Sequence, residues 1–198
     1  MNKRHFTIGA LVIIAGTSLG FADLFGRGKY ETAAYEVAKK DGAFEIRNYP
    51  TLVVASAPMS ARSESNSAFR SLFQYISGKN QSGEKIAMTT PVFTTPKAGN
   101  DGGGLMSFVV PAEVAKAGAP KANSKSVSVT TRAAGTFAVY RYSGRWTKSR
   151  EQTAQNRLQN WLKENKIKAV GSFEKANYDP PFTPGFLRRN EVLVRIAR

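Results

Sequence analysis

The feature that most constrains the fold of this chain is a strand-then-helix pattern that occurs twice. In the first copy, apolar residues recur at helical spacing from Ala68 to Ile76, and Gly78 follows as a residue that ends a helix. The second copy has a similar apolar face, formed by Ala154, Leu158, Trp161 and Leu162. Two amphipathic helices, each preceded by strands, require a sheet on which both apolar faces are buried.

The two copies share one offset across a strand and a helix. Positions in the first copy correspond to positions 85 residues later, namely Thr51 to Thr136, Phe69 to Ala154, Phe73 to Leu158 and Ile76 to Trp161. A common offset over two different elements is hard to obtain by chance, so it predicts an internal duplication. We place the repeats at about 35–110 and 127–198.

Alternating apolar residues predict strands on both sides of each helix. Before the helices, strand pairs are expected at 44–49 and 51–56, turning at Pro50, and at 127–131 and 136–141, turning near Gly135. After the helices, strands are expected at 85–94, 105–110, 168–175 and 191–196. This order predicts an α+β fold of pseudo-twofold strand–helix–strand repeats, with one helix per repeat and antiparallel sheets that close into a distorted β-barrel.

Two local signals complete the prediction of the fold. The segment from Ala112 to Ser126 is rich in Lys, Ala, Gly, Pro and Ser, which indicates a loop between the halves. Ser149 and Gln152 have the spacing of a capping box, which places the start of the second helix at Ser149.

The first residues are typical of an export signal. Lys3 and Arg4 precede the uncharged run 6–22, and small residues stand before a cleavage site at Asp23. We therefore expect a signal peptide at 1–22, a linker at 23–34, a domain at 35–198 and a periplasmic location. The alternative is an uncleaved membrane anchor formed by residues 6–25, which have the length to span a bilayer.

The residue inventory excludes several classes of function. The chain has no Cys and one His, at position 5 inside the predicted signal, which argues against zinc and iron–sulfur sites, thiol catalysis and a Ser/His triad in the exported domain. The segment 78–83 has P-loop spacing, but Glu84 stands where the lysine belongs. We expect a monomeric protein that is not an enzyme.

The charge balance points to anionic partners. The chain has 29 basic and 14 acidic residues, a net charge of +15, and loss of Lys3 and Arg4 leaves about +13. A basic stretch at 141–150 contains interleaved aromatic residues, a composition also found on nucleic-acid surfaces. Because export argues against nucleic acid, we expect anionic small molecules and membrane surfaces instead.

Five blocks of sequence, in order, resemble the SOUL haem-binding protein family over about residues 35–196. They are Tyr35-Glu-Val, 44–50, 68–78, 85–92 and the pair 178–184 with 188–192. The resemblance implies a pseudo-twofold barrel flanked by two helices. It also implies binding of haem or another porphyrin in a surface groove, without turnover, as an exported carrier or buffer. The alternative is a binding or sensor module for another amphipathic anionic small molecule.

The resemblance also implies where the groove lies, along the first helix and under the loop after Tyr178. The positions carried over are Phe69, Phe73 and Gln74 on the helix, with Thr183, Phe182 and Phe186 in the loop. Arg62 and Arg70 add cations for the haem propionates, since guanidinium groups bind carboxylates in bidentate fashion. Apolar spacing also fits packing against the sheet, which we expect for Phe73 and leave open for Phe69.

With no His or Cys in the domain, iron ligation by either residue type is not expected. Met59, Met88, Met106 and several tyrosines have ligand atoms, although packing is the expected role of each. Near the C-terminus, Arg188, Arg189, Asn190 and Glu191 predict a polar network that fixes the last strand against the Tyr178 loop.

Overall fold

The structure is a computed structural model that describes residues 30–59, 65–96 and 103–197, without the side chain of Ser65. The α-helices in these ranges are α1 (Ser65–Ile76), α2 (Ala112–Ala117) and α3 (Lys148–Glu164), and Gly185–Leu187 forms one turn of 3₁₀ helix. The strands are β1 (Glu31–Thr32), β2 (Glu36–Asp41), β3 (Phe44–Tyr49), β4 (Leu52–Met59), β5 (Thr89–Thr90), β6 (Val92–Pro96), β7 (Gly104–Val109), β8 (Ser128–Arg132), β9 (Gly135–Tyr142), β10 (Ala169–Asn177) and β11 (Asn190–Ile196). The predicted signal peptide, most of the predicted linker and Arg62 lie outside the described residues.

One large antiparallel sheet organises the molecule. Its strand order is β2-β3-β9-β11-β10-β6-β7-β4-β8, and β1 and β5 form a separate parallel pair. In the described residues, β2 and β8 do not pair with each other, so the fold is α+β as predicted but the predicted closed barrel is not found. The edge strand β2 is exposed along its whole length and carries four charged residues, which oppose pairing with a further strand.

The strand pairs predicted before each helix are not hairpins. Both edges of β4 are hydrogen-bonded, one to β7 and one to β8, so β3 pairs with β9 instead. In that register, Phe44 lies opposite Tyr140 and Tyr49 opposite Gly135. β3 and β4 thus each pair with a strand from the other half of the chain, because a backbone edge that is already paired accepts no second ladder.

The single 85-residue offset is also wrong in detail. β4 and β9 have the same order of buried and exposed positions, but their first residues, Leu52 and Gly135, are 83 positions apart. The buried positions of the two helices correspond at an offset of 86 residues. They are Ala68, Leu72, Tyr75 and Ile76 on α1 and Ala154, Leu158, Trp161 and Leu162 on α3. The internal duplication stays a prediction.

The helices cover one face of the sheet. α1 packs on β4 and β7 through a cluster that includes Leu72 and Phe108, and α3 packs on β9 and β11 through one that includes Leu158 and Val192. The opposite face carries a third cluster from both halves. None of the helices that the structure describes has the length and apolar character that a bilayer-spanning helix needs.

Helix ends follow local chemistry, with two corrections. Gly78, at φ 101°, is the predicted C′ residue, because its N–H and that of Lys79 donate to the carbonyls of Tyr75 and Gln74 in a Schellman motif. α3 begins at Lys148, and its cap is Thr147, whose hydroxyl accepts from the N–H of Arg150 at 3.2 Å, so the Ser149 capping box is wrong. The predicted loop at 112–126 begins with the short helix α2.

Candidate functional site

A groove of about 320 Å³ lies between α1 and the loop that follows β10. Aromatic, aliphatic and thioether side chains form most of its wall. Its lining residues are Tyr30, Phe69, Phe73, Met88, Thr90, Val92, Met106, Asn177, Tyr178, Asp179, Pro180 and Pro181. Such a size and apolar character are typical of a small-molecule site.

The α1 wall consists of two phenylalanines that the helix leaves in solvent. Phe69 and Phe73 are 40% and 52% exposed, because the adjacent row that contains Leu72 is the one that faces the sheet. Their rings stack with centroids 6.1 Å apart and 12° between planes, and Phe69 also meets Phe108 edge-on at 5.3 Å. The interpretation of Phe73 as a core residue is therefore wrong, and both rings are open to a ligand.

The opposite wall begins at Tyr178, which is buried and held at both ends. Its hydroxyl donates to Glu191 at 3.1 Å, and the guanidinium of Arg189 lies 3.8 Å from the ring centroid. Burial and the charge of Glu191 raise the pKa of Tyr178 well above its ordinary value, so the hydroxyl stays a donor. The carboxylate of Asp179 accepts from the backbone N–H of Arg189, which fixes the next residue of the wall.

A buried ion cluster supports this wall. Arg47 donates two hydrogen bonds to Glu191, at 2.7 and 3.0 Å, and Arg189 donates a third at 2.8 Å. Burial alone would raise the pKa of Glu191, but the two guanidinium groups outweigh it, so the pKa lies below the ordinary value. The predicted network at the last strand is confirmed, while Arg47 is a partner that the local sequence did not indicate.

The basic residues predicted for haem propionates are not in the described lining. Arg70 and Gln74 are exposed on α1, one position beyond the row that contains Phe69 and Phe73, and Arg62 lies outside the described residues. Within the described part of the chain, no Lys, Arg or His lines the groove. As ligand contacts, Arg62, Arg70 and Gln74 stay predictions.

The loop residues Phe182, Thr183 and Phe186 follow the groove wall but do not line it. Phe182 and Phe186 are 80% and 77% exposed, whereas Thr183 is buried and its Oγ1 has no hydrogen-bond partner among the described residues. Their roles as ligand contacts also stay predictions. The residues that the sequence reasoning missed are chiefly Tyr30, Val92, Pro180 and Pro181, although the Tyr178-Asp-Pro-Pro motif pointed to the last two.

The described groove lining contains two thioether sulfurs, those of Met88 and Met106, which are soft ligand atoms for a metal ion. Met88 is half-buried and Met106 is 7% exposed, and both line the wall beneath the phenylalanines. In the described ranges, no group of three or more His, Cys, Asp or Glu side chains is placed to hold a metal ion.

A second, smaller pocket of about 190 Å³ lies beside α3. It is lined by Tyr140, Tyr142, Ser143, Arg150, Thr153, Ala154 and Arg157. Burial and the charge of Glu151 raise the pKa of Tyr142 to about 12, and Arg157 donates to the Tyr140 hydroxyl at 2.8 Å. Part of the predicted basic stretch, Arg150, thus contributes to the lining of this pocket.

Comparison with solved structures shows the fold. The C-terminal domain of EcmrR aligns with a TM-score of 0.58 and 12% identity, over 83% of this chain and 98% of that domain. A hydrolase from Listeria innocua aligns with a TM-score of 0.57 and 10% identity, over 81% of this chain and 94% of the hydrolase. At these identities the likeness concerns the fold alone.

Comparison by sequence identifies the family. A search against curated proteins finds no match. Residues 30–195, most of the chain, match the family described as SOUL heme-binding protein, and this range contains the groove, the Tyr178 loop and the buried ion cluster. The chain therefore belongs to the SOUL haem-binding protein family.

Proposed function

We propose that this protein binds haem or a related tetrapyrrole non-covalently in the groove beside α1, and that it does so without catalysing a reaction. The observation that carries the proposal is the pair of stacked, solvent-exposed rings of Phe69 and Phe73 at the groove of a chain in this family. A contiguous exposed apolar patch at a groove is typical of a surface that a ligand or partner covers.

The chemistry of the lining suits a flat apolar macrocycle. Phe69 and Phe73 offer ring faces, and Val92, Pro180 and Pro181 offer aliphatic surface on the other side. A bound haem would supply an iron centre to this site. The protein's part is to cover the macrocycle and keep water from its faces.

Charge and ligation distinguish this site from a catalytic haem pocket. We infer that cations outside the described lining, with Arg62 and Arg70 as the candidates, would bind the propionates, since the described lining contains no Lys or Arg. We further infer that the iron has no His or Cys ligand, because the only His is at position 5 and the chain has no Cys. Both points favour a carrier or buffer over an enzyme.

The cellular role follows from the first residues of the chain. We propose that the protein is exported to the periplasm and carries or buffers haem there, because Lys3, Arg4 and the uncharged run 6–22 have the pattern of an export signal.

A haemin titration tests the binding proposal. Adding haemin to the purified full-length protein should give a saturable Soret change, which weakens in Phe69→Ala and in Arg62→Glu variants. Trp146→Ala is the matched control, because Trp146 is 48% exposed but lies outside the groove. Binding that does not saturate, or that ignores both groove substitutions, would remove the groove assignment.

Native mass spectrometry of the protein purified from its host tests the ligand class. A co-purified porphyrin would support the proposal, and a different amphipathic anion would replace it with a binding or sensor module for that molecule.

A further inference from the structure

The loop from Pro180 to Leu187 presents two aromatic side chains that the groove does not use. Phe182 and Phe186 are 80% and 77% exposed, the highest values among the large apolar side chains that the structure describes. Neither lines the groove, although Pro180 and Pro181 of the same loop do. Two phenyl groups on one loop, each more than three quarters exposed, indicate a surface that covers them.

The loop is held firmly beneath these rings. The guanidinium of Arg188 reaches back and donates to the carbonyls of Thr183, at 2.8 Å, and Pro181. From the neighbouring segment, Gly144 donates its N–H to the carbonyl of Gly185 at 2.9 Å. The two phenylalanines are therefore displayed by a fixed scaffold.

The backbone of this loop satisfies much of its own hydrogen-bonding capacity. Prolines at 180, 181 and 184 have no N–H, and the N–H groups of Thr183 and Leu187 donate to the first and last of these prolines at 3.1 and 3.0 Å. Arg188 and Gly144 bind the carbonyls of Pro181, Thr183 and Gly185, so most carbonyl groups of the loop have partners. This matters at a bilayer, since backbone groups without partners are costly in lipid.

The surroundings of the loop are basic. Arg145 packs against Gly185, so closely that a Cβ at 185 would lie 3.0 Å from its Cγ, and the same segment continues with Lys148 and Arg150. All three basic side chains are exposed. The acid next in the chain, Glu151, is paired with Lys175 at 3.2 Å. An apolar loop beside an exposed basic segment matches an anionic lipid surface.

We propose that the 180–187 loop is a membrane-docking element that inserts Phe182 and Phe186 into the headgroup region of an anionic bilayer. Two side chains are too small an apolar surface for a stable protein interface, which buries about 800 Å² on each partner. Because Pro180 and Pro181 also line the groove, docking would bring the groove mouth close to the lipid. The inference goes beyond haem binding and does not depend on it.

Site-directed labelling provides the test, since the chain has no native Cys. A spin label at Phe186→Cys in the full-length chain is compared with labels at Val37→Cys and Val170→Cys, which are exposed positions on β2 and β10. With phosphatidylglycerol vesicles, the label at 186 should gain collisions with oxygen and lose collisions with a water-soluble nickel complex. The labels at 37 and 170 should stay aqueous.

Local depth is the appropriate readout because the apolar run 6–22 could tether the full chain to any vesicle. A label at 186 that stays aqueous on anionic vesicles would overturn the proposal. So would a label that is shielded from both reagents in host membranes but not on lipid vesicles, which would assign the loop to a protein partner. A separate haemin titration of Phe182→Ser with Phe186→Ser distinguishes the two roles of these rings, since loss of haemin binding would assign both rings to the ligand, as the family resemblance implies, and would overturn the docking proposal.

Discussion

The helices α1 and α3 bury the same stripe but differ in the row beside it. Leu72 and Leu158 occupy corresponding buried positions, each 0% exposed. We align the two helices by their buried residues. At the next position along each helix, α1 then has Phe69 and Phe73, and α3 has Gln155 and Gln159. The apolar row borders the groove, and the polar row is an ordinary solvated helix face.

This difference separates stability from binding within one pattern. The buried stripe docks each helix on its sheet, and the adjacent row is free to vary because it contributes little to the core. In α3 that row makes local contacts, such as Gln155 donating to Glu151 at 3.3 Å. In α1 it has the chemistry of a ligand surface. The proposed ligand surface therefore lies one residue away from the positions that hold the fold together.

The largest expected effect is a loss of stability common to both helices. Leu72→Ala and Leu158→Ala should each lower the free energy of unfolding by about 2–5 kcal/mol, because each leaves a cavity in a closed cluster. Urea denaturation measures this, with Gln159→Ala as the exposed control. A much smaller loss in one helix would break the equivalence of the stripes.

The next effect concerns the ion cluster that supports only the groove side. Glu191→Gln should lower the free energy of unfolding by about 3 kcal/mol, since it removes the buried carboxylate that Arg47 and Arg189 share and leaves Glu45 as the remaining charged partner of Arg47. Because the folded pKa of Glu191 is lowered, its contribution is fully present above the ordinary carboxyl pKa of 4.5 and is lost as the pH falls through the folded value.

Urea denaturation at a series of pH values tests the direction in which the free energy of unfolding changes with pH. The wild-type protein should lose stability on acidification below about pH 4.5, and Glu191→Gln should flatten that part of the profile. If the stability of the variant fell with pH in parallel with that of the wild-type protein, Glu191 would not be the group responsible for the loss.

Exchanging the two surface rows tests the comparison directly. Phe69→Gln with Phe73→Gln should weaken haemin binding about 100-fold, if each ring contributes about 1.5 kcal/mol of burial against the ligand. Unfolding should change far less than in Leu72→Ala. The matched control is Gln155→Ala with Gln159→Ala, for which titration should show unchanged affinity. An equal loss in both double variants would show that the rows do not differ in function.

The smallest effect is expected at the thioethers beneath the row. Met88→Leu and Met106→Leu conserve volume and should leave the Soret spectrum of the haemin complex unchanged, because we expect the faces of the macrocycle and not the iron to be held. Absorbance spectra of the ferric and ferrous complexes measure this. A spectral change confined to one variant would identify that sulfur as an iron ligand.

Periodicity predicted both long helices and most strands, but it did not choose between neighbouring rows. Ala68 with Leu72 and Phe69 with Phe73 have the same i, i+4 spacing, so the apolar face of α1 is wide. Which row faces β4 depends on how the helix docks, and a rotation of one residue, about 100°, decides the exposure of both rings. This is why Phe73 was assigned to the core.

Strand partners were beyond the reach of local sequence for a similar reason. Residues 44–49 and 52–59 follow each other across Pro50, which favours a hairpin, but hydrogen-bonding capacity is shared by the whole sheet. β7 and β8 occupy both edges of β4, and β3 is left to pair with β9. Contacts at long range decided the topology.

The sequence by itself determined the order of the elements, the helix stop at Gly78, the polar network near the C-terminus and the family, because these depend on local spacing and on motifs. The tertiary structure alone decided that Phe69 and Phe73 face solvent and that Phe182 and Phe186 lie outside the groove lining. It also brought Arg47 to Glu191 across 144 positions. The physical reason is that burial is a property of the packed sheet, and residues distant in the chain compete for its limited surface.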